Sequence, residues 1–228
     1  MRRFTSALFL LGLGVLIAAI YQQMGFHASG SNVGQAVNAV AADQLGAANF
    51  VTSVVLGYRG LDTLMELTIL FTAATVVALV LGRRKPSAKR DPDAGFVLQA
   101  GADLFFPLLL IVGLYIILHG HLTPGGGFQG GVILAAAFFV PVLARPGTSI
   151  DHGWASLVEG LAGASFIFIG LLAMFEGKSF LTPPPGQGEL GALFSAGTLP
   201  LLYIAVGLKV GAELAGLLAH LSETEAAN

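Results

Sequence analysis

The chain has 228 residues, 11 of them basic and 13 acidic, so only 11% are charged while 55% are hydrophobic, with a mean hydropathy of +0.80. Soluble domains carry roughly 25% charge; so few charges cannot cover a soluble surface, and so apolar a composition excludes a disordered chain. A formal net charge of −2 leaves no footprint for nucleic acid, and the absence of cysteine removes disulfides, thiolate nucleophiles, iron–sulfur ligands and cysteine-based zinc sites.

The class that remains is an all-α polytopic membrane protein in contact with the lipid bilayer. A membrane helix needs about 20 mostly apolar residues, and six segments qualify. The first, residues 4–20, follows Arg2 and Arg3 as a signal peptide would. Its apolar run of 17 residues exceeds the usual h-region, and Tyr21, Gln22 and Gln23 make a poor cleavage site, so a retained helix is expected. Residues 31–58 are mildly apolar and end in Val51, Val54, Val55 and Leu56. Either a short helix along the membrane face or a loop packed on the spans fits them.

The second span, 63–81, is entered through Arg59, Asp62 and Glu66, which are spaced to meet at a helix start. Asp62 suits an N-cap and the helix dipole. Glu66 already faces an apolar run. Ionisable groups at membrane depth are costly, which makes it a candidate for an ion path. Residues 83–95 carry five bases, two prolines and two acids. They read as a basic linker between a two-span unit, 1–82, and a four-span unit, 96–228.

The third span, 100–118, opens with Asp103, either a dipole partner or a further ion-path group. A short hairpin joins it to the fourth span, 127–143, through His119, His121, Pro124, Gly125, Gly126 and Gly127, with Gly130 and Gly131 beyond. Proline and three consecutive glycines break the helix, and irregular backbone at this depth is tolerated only against protein or a watery cavity. Gly126/Gly130 and Gly127/Gly131 are two GxxxG registers for close packing. The histidines can shuttle protons, lie at the interface, or form half a metal site. No carboxylate adjoins them, so no metal is expected.

The fifth span, 154–175, carries Glu159, and the sixth, 193–214, carries Lys209 and Glu213, which share one helix face at i, i+4. Counted from the same membrane side, Glu159 and Lys209 lie at similar depth. A proton or cation relay, an ion pair locking span five to span six, and snorkelling to the interface all fit. Residues 186–191 match G-x-G-x-x-G but follow three prolines rather than a strand, so no dinucleotide site is expected. No nucleophile–base motif marks a catalytic residue. If all six spans cross, eight Lys and Arg lie on one side and only Arg59 and Lys178 on the other. The positive-inside rule then places both termini in the cytoplasm, and the inner (plasma) membrane is the expected location.

Residues 101–144, centred on HGHLTPGGGFQGG, resemble the MnhB (MrpB) component of Mrp-type multisubunit Na+/H+ antiporters, and equally the matching component of energy-converting membrane-bound hydrogenases. The likeness covers roughly residues 95–228. Residues 49–81 resemble the C-terminal tail of the MrpA component of the same antiporters, with Glu66 at the acidic position of its RG-x-DT-x-x-E motif. The chain thus looks like a fusion of two neighbouring parts that usually lie on different chains. The resemblance implies a component that flanks a cation path and holds a larger assembly together, with Na+ and H+ as cargo, no cofactor, and the other subunits of the complex as partners. A redox-driven complex and a purely structural scaffold remain alternatives. Glu159, Lys209 and Glu213 match no motif of that family.

Overall fold

A computed structural model describes residues 2–23, 32–81, 94–145, 148, 150–182 and 188–225. The linker expected at 83–95 lies almost wholly outside them. The described residues are helical, with no strand among them. The chain divides into two units, residues 1–39 and 40–228. In the first, α1 (Arg2–Gln23) fills the predicted first span with a continuous helix of 22 residues.

The second unit holds five helices long and apolar enough to cross a membrane. They are α4 (Gly60–Leu81), α5 (Phe96–Leu118), α6 (Gly127–Ala144), α7 (His152–Phe175) and α8 (Leu199–Glu225). The chain from α2 (Asn32–Leu45) to α3 (Phe50–Thr52) bends sharply, and α3 runs on into a π-helical turn, Ser53–Tyr58. Counted as one broken span, this pair would be a further crossing. Thr52, Ser53 and Leu56 are fully buried, so the turn at 52–56 packs against its neighbours, while residues 33–36 and 38–40 of α2 are exposed.

α8 is the central element, packed against α4, α5, α6 and α7. Leu202, Val206 and Val210 on α8 meet Ile117 of α5, Leu134 of α6 and Phe166 of α7 in one core. Lipid is as apolar as these side chains, so close backbone approach must hold the helices together. The glycines allow it. A β-carbon at Gly127 would lie 2.6 Å from Val206 Cβ and 2.8 Å from the Tyr203 carbonyl oxygen. One at Gly131 would lie 2.8 Å from Val210 Cβ and 2.9 Å from the Gly207 carbonyl oxygen. The Gly127/Gly131 register therefore serves α8, while Gly130 faces Ile117 and the Gly113 carbonyl of α5.

Two helix starts differ from expectation. The last helix begins at Leu199, not 193, because Ala196 and Gly197 take positive φ and Pro200 suits only a first turn. It then runs on past 214, which places Lys209 midway along the span Leu199–Leu221 rather than near its cytoplasmic end. α5 begins at Phe96, so Asp103 lies beyond the first turn, where a dipole partner would sit.

Candidate functional site

The buried charges of α8 form the centre of the site. Lys209 Nζ lies 3.2 Å from Glu159 Oε1 on α7 and 3.1 Å from Glu213 Oε2, one turn along α8. It also sits 5.1 Å from the centre of the Phe71 ring on α4, a cation–π distance. Three helices thus converge on one ammonium group. The lysine stem passes over Gly163, where a β-carbon would stand 3.6 Å from its Cδ, an ordinary van der Waals contact. The Lys209 and Glu213 side chains are 10% and 2% exposed, and Glu159 is 19% exposed. Both contacts are longer than the roughly 2.7–2.9 Å of tight charge-assisted bonds. Glu213 Oε1 is buried and has no hydrogen-bond partner among the described residues. One cation between two carboxylates leaves the cluster one negative charge in excess. A group in that state can take up a proton or a cation.

The other predicted residues lie elsewhere. Arg59 and Asp62 pair at 2.6 Å on the surface. The helix there starts at Gly60, so Asp62 stands in the first turn instead of capping it. Glu66, one turn further, is exposed on α4. Asp103 makes a two-pronged ion pair with Arg145, at 2.8 and 2.7 Å, which ties α5 to the end of α6.

The hairpin between α5 and α6 is a built structure. Gly125 and Gly126 take φ of +145° and +139°, which side-chain-bearing residues rarely adopt. His119 stacks on Tyr115 with ring centres 4.1 Å apart. His121 is fully buried, with Nε2 3.1 Å from the Leu193 carbonyl oxygen. Burial lowers its pKa below the usual 6.5. Its folded value lies below its unfolded one, so its contribution to stability is present above about pH 6.5 and lost on acidification. Amide exchange of residues 119–126, corrected for intrinsic rates, should therefore quicken between pH 7.5 and 5.5. A His121→Asn variant should show little of that change.

Sequence reasoning missed the residues that hold this hairpin. Asn49 Nδ2 donates to the carbonyls of Gly120 (2.7 Å) and Thr123 (2.8 Å), while the Asn49 amide donates to His121 O at 2.9 Å. Thr52 Oγ1 donates to Gly120 O at 2.6 Å and lies 2.7 Å from the Tyr203 hydroxyl. An asparagine and a threonine before a predicted span give no pattern that names their partners. Asn49→Ala removes both side-chain bonds and deprives the Thr123 carbonyl of its Asn49 donor, while Gly120 O keeps Thr52; the cost is about 1–3 kcal/mol. The thermal midpoint of the purified protein should fall, and Asn49→Asp should not restore it, because a carboxylate cannot donate.

A family model described as a domain related to the MnhB subunit of Na+/H+ antiporters matches residues 97–216. An uncharacterized protein of Methanocaldococcus jannaschii is 34% identical over 199 residues, 74% of each chain. Among solved structures, a chain of the membrane-bound sulfane sulfur reductase, an archaeal respiratory membrane complex, is 38% identical at a TM-score of 0.80. That match covers 96% of this chain and 97% of the other. A chain of the Mrp complex from Dietzia sp. DQ12-45-1b matches at a TM-score of 0.74 and 26% identity, over 97% of this chain but 26% of that longer one.

Proposed function

The chain belongs to the family of domains related to the MnhB subunit of Na+/H+ antiporters, and on that premise we propose that it is an integral membrane subunit of a cation/proton-translocating complex. The observation that carries this reading is the Glu159–Lys209–Glu213 cluster, buried where three helices meet at mid-span. Buried ionisable groups in a membrane mark ion and proton paths. Lys209 serves as the shared group: it pairs with either carboxylate, and the proton or cation count of the cluster changes as the pairing shifts. Glu66, exposed on α4, flanks the path at the boundary with a neighbouring protein of the complex. Asp103, His119 and the hairpin glycines hold the scaffold.

The two-part organisation, 1–82 and 96–228, is our reading of the fusion. Its support is that almost the whole chain aligns within one longer chain of the Mrp complex. The orientation, with the basic loops in the cytoplasm, is read from the positive-inside rule, and the inner (plasma) membrane from the likeness to antiporter subunits. Deleting the chain should abolish cation-driven proton movement in inside-out vesicles. Unchanged flux in the deleted strain would refute the proposal.

A second reading is favoured by one observation. The reductase chain matches over 96% of this chain and 97% of its own length, whereas the Mrp chain is matched over 26% of its length. In that reading the chain belongs to the ion-translocating module of a redox-driven complex, and the redox chemistry lies on its partners. Co-purified iron–sulfur proteins would identify this case, and their absence from an intact, active complex would identify the antiporter.

A further inference from the structure

The relay needs a route to water, and one cleft in the molecule supplies it. Between α4 and α7, with α8 as its floor, lies a cavity of about 260 Å³. Glu159 and Glu213 close one end, and His152 and His220 line the other. The two imidazole rings stack with centres 4.4 Å apart. His152 is the first residue of α7 and His220 lies in the last two turns of α8, so the pair stands at the end of the helices that leads out of the membrane.

The register explains the cavity. On α8, Lys209, Glu213, Gly216 and His220 follow one another at helical spacing. On α7 the facing series is His152, Ser156, Glu159 and Gly163. Small residues fill the positions between the charged cluster and the histidines. A β-carbon at Gly216 would meet nothing within 4 Å, so the space is open at that level. α4 contributes Phe71, Ala74, Thr75 and Ala78, none of them titratable. The titratable groups lining the cleft are therefore His152 and Glu159 of α7, and Glu213 and His220 of α8; Lys209 lies behind the two carboxylates it pairs with, and Asp151 caps the start of α7. From His220 to Glu213 is seven residues, about 10 Å of helix. That is too far for direct transfer, and the cavity has room for several waters at about 30 Å³ each.

Resting on the relay reading above, we propose that this cleft is the proton access path of the cluster, with the His152–His220 pair at its mouth. An imidazolium there releases its proton into the water of the cleft. The proton arrives on the Glu213 carboxylate, which lines the inner end of the cleft, leaving a neutral imidazole behind. Glu213 becomes a neutral acid, and Lys209 remains paired with Glu159 alone.

Two variants in the assembled complex test the route. Gly216→Leu fills the cleft while leaving every charged group in place, and should cut proton flux at least tenfold without loss of assembly. The native chain has no cysteine, so Gly216→Cys gives a unique thiol in it. A charged, membrane-impermeant thiol reagent should label that thiol from the His152–His220 side and block flux. Full flux in Gly216→Leu, or a thiol that only lipid-soluble reagents reach, would overturn the access path. If Lys209→Met abolishes flux while Gly216→Leu does not, the relay stands and the route fails. If neither changes flux, both fall.

Discussion

Replacing Lys209 with methionine should abolish ion flux through the assembled complex, by about a hundredfold or more, the scale of losing a positioned proton-transfer group. The substitution keeps most of the length of the side chain and removes its charge. It also strands Glu159 and Glu213 as unpaired carboxylates, which costs about 3–5 kcal/mol when one partner of a buried pair is lost. A fall in flux alone would then not separate a relay from a lock between helices. The triple variant Lys209→Met, Glu159→Met, Glu213→Met separates them. It is apolar and close in volume, and such replacements often leave stability unchanged or higher. The expected result is a thermal midpoint near that of the unaltered complex with flux still at background. Recovery of flux together with stability would mean that the cluster only locks α7 to α8.

The second large effect is expected at Gly127. Alanine there places a β-carbon 2.6 Å from Val206 Cβ and 2.8 Å from the Tyr203 carbonyl. Neither is the end of a flexible side chain, so α6 and α8 must separate. The cost is expected at or above the upper end of the about 1–3 kcal/mol typical of overpacking. Assembled complex should become scarce and its unfolding midpoint should drop. Gly101→Ala on α5 is the control, because a β-carbon there meets nothing within 4 Å. It should leave the midpoint unchanged or raise it slightly, as alanine favours helix by about 1 kcal/mol over glycine. Equal effects at the two positions would show that the α6–α8 contact is not decisive.

The long spans were legible because twenty apolar residues in a row have few other fates. The pairing of Lys209 with Glu159 and Glu213 was legible for a similar reason: depth and the i, i+4 spacing bring them within reach. What the sequence concealed was set by irregular backbone. Positive φ at Ala196 and Gly197 delays α8, and no apolar pattern records that. The helix also runs on past 214, and that extension moves Lys209 from near one surface to the middle of the span. The cleft was hidden for another reason. His152 and His220 are 68 positions apart and Gly216 is an ordinary helix glycine, so only the antiparallel packing of α7 and α8 lines them up. Asn49 was missed because its partners are main-chain carbonyls some seventy residues away.

That choice of partners bears on how such a chain came to be assembled. Asn49 and Thr52 address the carbonyl oxygens of the hairpin and the Tyr203 hydroxyl. Every amino acid carries a carbonyl, so the contact follows the course of the loop and not the identity of the side chains displayed on it. A joint of that kind is portable. The segment that brings the asparagine can be encoded with the hairpin or apart from it, and hairpins of different sequence can accept it if they keep the same path. Whether the two segments are encoded together or apart then matters less to the fit than the path of the hairpin backbone.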